Sequence, residues 1–276
     1  MSLKARYVIK YPSRAVPDRV RLEYSYDRVR PGTIAMLETV AESIEVTPSN
    51  TLELEREFYS SVALTKVYPR DGLVGEWLFW EGEGTTLHDS SGYGNHGTIY
   101  GMTWQSLPSG KCCGYFDGVD DYVDTGLNAA TLKSFTLMAW VKSNVYAKAG
   151  TRLIKYILSS LKHYEDNTLV LLWANIGWYF RINVNKVIID ILYSRDLDTE
   201  WHHVAGTLDA ASGTMKFYFD GVLKMTATRV PEPSFAPATI KIGWYYWWIG
   251  LIDEVRIYNR ALSQPEIVRL MNMRGL

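Results

Sequence analysis

The sequence is poor in cysteine, and this shortage excludes a disulfide-stapled scaffold. Cys112 and Cys113 are the only cysteines among 276 residues, and they are adjacent. Neighbouring residues of a strand point to opposite faces, so these two thiols cannot easily bond to each other. Two thiols without nearby partners also make a poor zinc site. We expect one to be buried as a small hydrophobic residue and the other to be partly exposed.

The sequence also lacks an excess of either charge, a long apolar run and a signal pattern. Its 29 basic residues stand against 30 acidic ones, so there is no basic field that would attract nucleic acid. The best candidate for a membrane span, residues 169–180, is interrupted by Asn175 and Gly177, so we predict none. No signal peptide with a charged and then an apolar segment is visible at the start.

What is present divides near residue 70 into two regions. Residues 1–70 are densely charged and are predicted to form a small β-rich N-terminal region that matches no family. Residues 67–73 form a plausible linker. Residues 71–276 are predicted to form one larger domain, a size that suits a single β-sandwich or barrel.

The N-terminal region contains two strand-like segments and one ambiguous segment. Val20–Tyr26 alternates like a half-buried strand, and residues 44–54 fit a hairpin around a Pro48-Ser49-Asn50 turn. Residues 31–44 fit a helix as well as a strand, and the neighbouring strands favour the strand.

Residues 71–276 carry short strand-like runs separated by Gly, Asp and Asn turns, which is typical of a β-sandwich or jelly roll. The strongest hairpin signal is "FYFDGVLK", with the two-residue turn Asp220-Gly221. One helix is predicted after Ser263, which forms a capping box with Glu266 and is followed by Pro265 in the first turn. The clearest predicted strands are residues 73–80, 135–142, 201–208, 215–219, 222–228 and 249–258.

Five segments of this region occur in the order expected of one known family. They are "GLVGEWLFWEGEGTTLHDSSGYGNHGTIYG", "YFDGVDDYVDTG", "FTLMAWVKS", "WHHVAGTLDAASGTMKFYFDGVLK" and "IGLIDEVRIYNRALSQPEI". Together they resemble a laminin-G-like, concanavalin A-like lectin/glucanase domain over about residues 72–275. The resemblance implies an all-β jelly roll, a sandwich of two antiparallel sheets, here with one short C-terminal helix. Most members of that family bind something, often glycans or protein partners.

Three tryptophans and two histidines of this region fit structural roles. Trp77, Trp140 and Trp201 each lie in an apolar run, so we expect them in the core, where each can bury on the order of 200 Å². His202 and His203 are adjacent in a strand and face opposite ways, so they cannot act as a catalytic pair. We expect one to point inward with a hydrogen bond and the other to face solvent.

The loop "HDSSGYGNHG" carries oxygen ligands at a Gly-rich bend, a combination that suits calcium. In similar jelly rolls calcium is often held between this loop and the acid of the Ile-Asp-Glu-Val strand. The resemblance therefore implies a structural calcium ion bound by Asp89, Asn95 and Asp253. The alternative is that Asp89 caps the turn and Asp253 bonds loop amides without metal. The acidic run at 117–124 fits a second metal or an Asp-Gly turn, and we favour the turn.

Glucanases share this fold, so a catalytic pair of carboxylates has to be considered. A retaining glycosidase needs two such groups about 5–5.5 Å apart. Asp253 and Glu254 are adjacent in a strand and point to opposite faces, whereas Glu81 and Glu83 lie in a turn with glycines. No Ser/His/Asp set and no metal-hydrolase signature occurs. We therefore predict a protein that is not an enzyme and has no catalytic residues.

The stretch "GWYYWWIGLIDEV" places five aromatic residues side by side. In the family this position is a variable loop, usually small and polar, so the first three aromatic residues are the ones that the core does not require. Sugars stack their C–H faces on Trp and Tyr rings, and a few polar groups fix their orientation. The predicted ligand-binding residues, here and in other loops, are Trp244, Tyr245, Tyr246, Trp80, Tyr93 and Trp104.

These features predict a non-catalytic binding module that recognises a carbohydrate or a cell-surface glycoprotein. The alternative is a structural or assembly protein, such as a virion or surface-layer component, in which residues 1–70 pair with another subunit to form a homo-oligomer. Both hypotheses place the protein outside the cell, at a cell surface or on a virion. Neither calls for nucleic acid or a membrane span.

Overall fold

The structure of the protein is a computed structural model that describes residues 2–10, 51–59, 69–148, 153–160, 167–174 and 177–273. The chain divides between Asp71 and Gly72 into two compact units. No helix in these ranges is long and apolar enough to cross a membrane.

The N-terminal unit contains two antiparallel strands, β1 (Ser2–Lys10) and β2 (Thr51–Tyr59), which pair along their whole length. The second arm of the predicted hairpin, Leu52 and Leu54, lies in β2. Its partner here is β1, a strand that the sequence reasoning missed. The first arm of that hairpin, the strand at 20–26 and the ambiguous segment at 31–44 lie outside the described residues.

The second unit contains short strands followed by a C-terminal helix. All six predicted strands are present, and the largest difference is that the first of them ends at Trp77 instead of Trp80. The elements are β3 (Leu73–Trp77), β4 (Thr86–Leu87), β5 (Gly97–Tyr100), β6 (Thr103–Ser106), β7 (Cys112–Asp117), β8 (Tyr122–Asn128), β9 (Phe135–Ser143), β10 (Ile154–Ser159), β11 (Thr168–Ala174), β12 (Gly177–Val184), β13 (Val187–Tyr193), β14 (Trp201–Asp209), β15 (Thr214–Phe219), β16 (Val222–Ala227), β17 (Thr239–Ile242), β18 (Ile249–Tyr258) and α1 (Gln264–Met271).

The strands form two sheets whose neighbouring strands are antiparallel. Sheet I has the order β13-β12-β11-β10-β17-β8-β5-β4, and sheet II has the order β16-β15-β14-β9-β18-β7-β6, with β3 also paired to β18. Neighbours in the sheets are often distant in the sequence, as in a jelly roll. The predicted fold class, a two-sheet jelly-roll sandwich with one short C-terminal helix, is confirmed.

The core lies between the two sheets and is built from alternate residues of each strand. In β9, Phe135, Leu137, Ala139 and Val141 all belong to this core. Trp77 is fully buried in it, as predicted. Burying a large apolar side chain of this kind stabilises the fold by about 1.5–3 kcal/mol, so the inward positions largely fix the strand register.

The prediction that Trp140 and Trp201 lie in the core is wrong. Trp140 has the parity of Lys142 in β9, so it points away from the core, and it is half-buried. Trp201 lies opposite Lys142 and packs against Leu251 on the same outer face of sheet II. The apolar neighbours of Trp140 suggest a core position, but adjacent residues of a strand lie on opposite faces. An apolar neighbour therefore does not place Trp140 in the core.

The prediction that one of the two adjacent histidines faces solvent is also wrong, because both are buried. The two ring nitrogens of His202 lie 2.9 Å from carboxylate oxygens of Asp198 and Asp220. Its ring also lies 4.5 Å from the ring of Phe219. His203 packs edge-on against Trp140, with ring centroids 5.5 Å apart.

Local turn and cap predictions are confirmed. Asp220 and Gly221 connect β15 to β16 with φ angles of 49° and 71°, as a tight hairpin turn requires. The capping box at the start of α1 is present, with the Glu266 carboxylate accepting hydrogen bonds from the backbone and the hydroxyl of Ser263. Cys113 is fully buried and Cys112 is half-buried, and both are free thiols.

Candidate ligand-binding surface

Strands β5, β8 and β17 are neighbours in sheet I and present an outer face that carries rings and charges. Along β8, Val123 and Leu127 belong to the core. Because side chains alternate across a strand, Tyr122 and Asp124 point to the outer face, where both are half-buried.

A row of rings crosses this face. Tyr100 lies opposite Tyr122 in the strand register, and their rings stack at 4.5 Å between centroids with an angle of 11° between planes. Trp247, in the loop between β17 and β18, lies 6.1 Å from Tyr122. Tyr100 is 47% exposed, so the outer end of the row is open to solvent.

A row of polar side chains runs beside the rings. Thr98, Asp124 and Lys241 are opposite one another on β5, β8 and β17. The Lys241 Nζ atom lies 3.2 Å from Asp124 Oδ2 and 4.9 Å from the centroid of the Trp244 ring. The cation therefore links the polar row to a fourth ring. We call Tyr100, Tyr122, Trp244 and Trp247 the aromatic platform.

The loop that presents Trp244 and Trp247 has a tightly constrained backbone. Gly243 has a φ of 78°, and a Cβ atom there would lie 2.6 Å from the Phe116 ring, so the position requires glycine. Tyr245 has a φ of 85°, which is strained for a residue with a side chain. Strained positions cluster at functional sites, and here the strain fixes the direction of a ring-rich loop.

The loop divides the three predicted residues Trp244, Tyr245 and Tyr246 between two roles. Tyr245 and Tyr246 pack on buried Tyr156, with ring centroids 5.8 and 5.3 Å apart, and join a small apolar cluster on the outer face of sheet I. The expectation that the core requires none of the three therefore holds for the main core only. Trp244 remains the member of the three that belongs to the platform.

Burial and charge shift the pKa values of Tyr122, in the platform, and of Lys155, beside it. Burial raises the pKa of Tyr122, and the neighbouring Tyr100 and Asp124 raise it further. Lys155 donates a hydrogen bond to the Trp247 carbonyl at 2.9 Å, and burial lowers the pKa of its ammonium group. Lys155 thus supports the backbone of the loop, and its ammonium group is engaged there.

The other three predicted ligand-binding residues lie on elements outside the platform. Trp104, in β6, donates to the Gly84 carbonyl at 3.0 Å and packs edge-on against core residue Phe79. Tyr93 is 68% exposed on the Gly-rich loop before β5. Trp80 is half-buried just beyond β3. Of the six predicted residues, the structure thus brings Trp244 together with three rings outside that set, Tyr100, Tyr122 and Trp247.

The predicted calcium ligand Asp89 is engaged with protein donors. Its Oδ1 atom accepts hydrogen bonds from the backbone of Glu76 and Ser91, and its Oδ2 atom accepts from the Ser91 hydroxyl and the Asn95 backbone, all at 2.8–2.9 Å. A carboxylate has about four acceptor positions, so this conformation leaves none for a cation. The geometry is that of a turn-capping aspartate.

The other two predicted calcium ligands also make protein hydrogen bonds. The side-chain amide of Asn95 donates to the Val74 carbonyl at 2.9 Å. Asp253 is buried and accepts from the Glu254 backbone at 2.9 Å. This donor set does not fit a calcium ion unless the loop rearranges, and calcium at these residues stays a prediction.

The acidic run at 117–124 brings three carboxylates together. Oxygen atoms of Asp117, Asp120 and Asp121 lie within 4.8 Å of one another. Two of them make turn contacts: Asp117 accepts from the Val119 backbone at 2.7 Å, and Asp121 accepts from the Asp117 backbone at 2.8 Å. Turn chemistry accounts for these contacts.

Two buried glutamates of the second unit are held by an arginine. Arg256 lies 2.9 Å from both Glu76 and Glu254. Burial raises the pKa of the Glu76 carboxyl, and Arg256 opposes that rise. Burial lowers the pKa of Arg256, but the two glutamates raise it by more, so Arg256 stays charged. This is a buried ion network, in contrast to a pair of carboxylates facing a cleft.

The chain was compared with known proteins in three ways. The family model described as the concanavalin A-like lectin/glucanases superfamily matches residues 117–268, more than half of the chain. A search of curated proteins gave no match. The three similar solved structures described next are 17–21% identical to the chain, and they show the fold alone.

One similar structure is the binding domain of botulinum neurotoxin serotype D, with 17% identity, a TM-score of 0.58, and coverage of 74% of this chain and 52% of that one. Another is domain 4 of AbnA, an extracellular arabinanase from Geobacillus stearothermophilus, in complex with arabinotriose. It has 21% identity and a TM-score of 0.56, and the match covers 72% of this chain and 98% of that one.

A third concerns botulinum neurotoxin type C, whose cell entry is described as dependent upon interaction with two ganglioside molecules. It has 19% identity and a TM-score of 0.58, and the match covers 76% of this chain and 52% of that one. The chain spans about half the length of the toxin domains that it matches. On its family match and its two-sheet fold, the chain belongs to the concanavalin A-like lectin/glucanases superfamily.

Proposed function

We propose that the second unit is a non-catalytic carbohydrate-binding module and that its ligand lies on the aromatic platform. The observation that carries the proposal is the gathering of four rings and an Asp–Lys pair on one face of sheet I. Ring faces bind the C–H faces of sugars, and a few fixed polar groups orient the hydroxyls. A glycoprotein would be recognised through its sugars in the same way.

The neighbours support this proposal. One was solved with arabinotriose, and another is described by its interaction with gangliosides. A binding module of this kind acts outside the cell or at a cell surface, and the arabinanase neighbour is itself described as extracellular. We extend both the ligand class and that location to this protein as part of the proposal.

The surroundings of the acids support a non-catalytic role. Glu76 and Glu254 are both bound to Arg256. Glu81 accepts a hydrogen bond from the His88 backbone at 2.7 Å, and Asp253 accepts one from Glu254. A retaining glycosidase needs one carboxyl as acid and another free to attack. The engagement of Glu76, Glu254 and Asp253 supports a non-catalytic role. Glu81 adds nothing to this support, because its Oε2 atom has no hydrogen-bond partner among the described residues.

A second function, assembly through residues 1–70, is favoured by one observation. Among the described residues of this unit, 2–10 and 51–59, strands β1 and β2 form a two-stranded sheet. Such a sheet is marginally stable by itself, and its edges can pair with another chain. A homo-oligomer of a surface-layer or virion type would follow. Light scattering of the full chain and of residues 72–276 tests it. Loss of an oligomer on truncation supports assembly, and an unchanged number of subunits contradicts it.

The binding proposal is tested with a glycan array followed by calorimetry on the best ligand. Trp244→Ala is expected to weaken binding about ten-fold or more, since it removes both stacking area and the ring over which the Lys241 cation lies. Tyr93→Ser is the matched control, because it removes an exposed ring outside the platform and should leave affinity unchanged. Equal affinity of wild type and Trp244→Ala would contradict the proposed site.

A further inference from the structure

The platform has its rings and its polar groups in separate rows, and their spacing suits one sugar. Tyr122 and Asp124 lie two residues apart on the same face of β8, about 6.6–6.8 Å along the strand. Tyr100 covers one face of the Tyr122 ring, so the ring that is open to a ligand is Tyr100, which is 47% exposed. Tyr100 and Thr98 have the same two-residue spacing on one face of β5, and Thr98 lies opposite Asp124. A sugar ring stacked on Tyr100 therefore extends its edge over the polar row. The groups beneath that edge are Asp124 and Lys241, which face each other across β8 and β17.

Asp124 keeps part of its hydrogen-bonding capacity. Its Oδ1 atom accepts from the Gly126 backbone at 3.2 Å, and its Oδ2 atom pairs with Lys241. A carboxylate has about four acceptor positions, so about two remain. The side chain is 30% exposed, so these positions are within reach of a ligand.

Lys241 keeps one donor. Of its three N–H groups, one serves Asp124 and one serves the Thr239 hydroxyl at 3.1 Å. The pair therefore offers about two acceptors and one donor side by side. Two adjacent sugar hydroxyls need that set, because each hydroxyl donates one hydrogen bond and can also accept one.

The charges of the pair select against an acidic sugar. The Lys241 ammonium group is offset by the Asp124 carboxylate 3.2 Å away. A ligand carboxylate placed over the pair would lie close to Asp124, and such like-charge contacts weaken binding and provide selectivity.

We propose that Asp124 and Lys241 are specificity-determining residues that read two adjacent hydroxyls of a neutral oligosaccharide stacked on the platform. The inference rests on the proposed function and adds the ligand class to it. In the opposing view, Asp124 and Lys241 form only a cross-strand pair that stabilises the sheet.

Calorimetry with matched neutral and acidic probes separates these views. The probes are lactose against sialyllactose, galacto-oligosaccharides against oligogalacturonates, and neutral arabino- and xylo-oligosaccharides. The wild type is expected to bind at least one neutral probe and to prefer the neutral member of each pair it binds. Asp124→Asn should weaken neutral binding about ten-fold, since hydrogen bonds to a charged group are lost, and should narrow the preference over the acidic probe.

Lys241→Met should also weaken neutral binding but should widen the discrimination against acids, because Asp124 is then unopposed. Opposite shifts in selectivity from two neighbouring substitutions are a result that a purely structural pair would not give. Circular dichroism and thermal melting check that each variant folds. If Asp124→Asn were to unfold, the Lys241→Met shift would decide alone.

The outcomes distinguish this inference from the proposed function. If both charge variants bind like wild type while Trp244→Ala does not bind, the inference is overturned and the platform stands. A wild-type preference for the acidic probes, or no binding to any neutral probe, also overturns it. If Trp244→Ala binds like wild type, the proposed site itself is wrong.

Discussion

The outer faces of the two sheets both carry aromatic residues, and the difference between them separates packing from recognition. On sheet II, Trp201 and Tyr115 flank buried Leu251 and pack around it with Leu107 and Cys113. On sheet I, the rings of the aromatic platform stand beside an ion pair and a strained loop. The same residue types thus close an apolar cluster on one face and leave an open, polar-edged surface on the other.

Breaking an ion pair on each face is expected to give the largest difference in the loss of unfolding free energy. Arg256→Met leaves Glu76 and Glu254 buried without their cation and should reduce the free energy of unfolding by about 3–5 kcal/mol in urea denaturation. Lys241→Met removes the half-exposed pair of the platform and should cost about 1 kcal/mol or less. Equal losses would remove the contrast between the faces.

The apolar side chains give the next difference. Leu251 is 5% exposed, and Leu251→Ala should lower the free energy of unfolding by about 2–5 kcal/mol because it leaves a cavity under Trp201 and Tyr115. Tyr100→Ala on the platform should lower it by less, about 0.5–1.5 kcal/mol, since that ring is 47% exposed and mainly loses its stack on Tyr122. A small effect at Leu251 would show that the sheet II surface is also open.

A pH titration tests whether His202, near the start of β14 in sheet II, contributes to stability and not to binding. Burial lowers the pKa of His202, but Asp220 and Asp198 raise it by more, so the net shift is upward. A raised pKa means that this stabilisation is complete below the ordinary histidine pKa and is lost as pH rises through the folded value.

The expected result is that stability falls as pH rises above the ordinary histidine value of about 6.5, and that His202→Gln flattens this slope. Urea denaturation across that pH range measures it, with glycan affinity followed in parallel. Affinity should not follow the slope, because the His202 cluster is not part of the platform. A slope of the same size in His202→Gln would contradict the assignment.

The smallest expected effect is that of a chelator. Because the four acceptor positions of Asp89 are filled by protein donors, EDTA should leave Tm unchanged within error. A clear fall in Tm that added calcium reverses would show that the loop rearranges to bind the metal through Asp89, Asn95 and Asp253.

Much of the fold could be predicted from the sequence because its signals are local. The Asp220-Gly221 turn, the alternation along β9 and the capping box at Ser263 each need only a few neighbouring residues. Alternation alone places Trp140 and Trp201 outside the core, because Trp140 has the parity of Lys142 in β9 and Trp201 has the opposite parity to core residue Val204 in β14.

The candidate site could be predicted only in part because its members are brought together by register. Trp244 was visible as an aromatic residue in a loop that is usually polar. Tyr122 and Asp124 could have been placed outward by alternation in "YVDTGLN". Their meeting with Lys241, more than a hundred residues away, depends on the pairing of β8 with β17, which no local pattern specifies.

The most direct test of the account replaces one tryptophan on each face with alanine. Trp244→Ala and Trp201→Ala are compared for glycan affinity by calorimetry and for free energy of unfolding in urea. The account predicts that Trp244→Ala loses affinity and keeps most of its stability, whereas Trp201→Ala loses stability and keeps its affinity where folded. The reverse pattern, with binding lost at Trp201 and retained at Trp244, would contradict it.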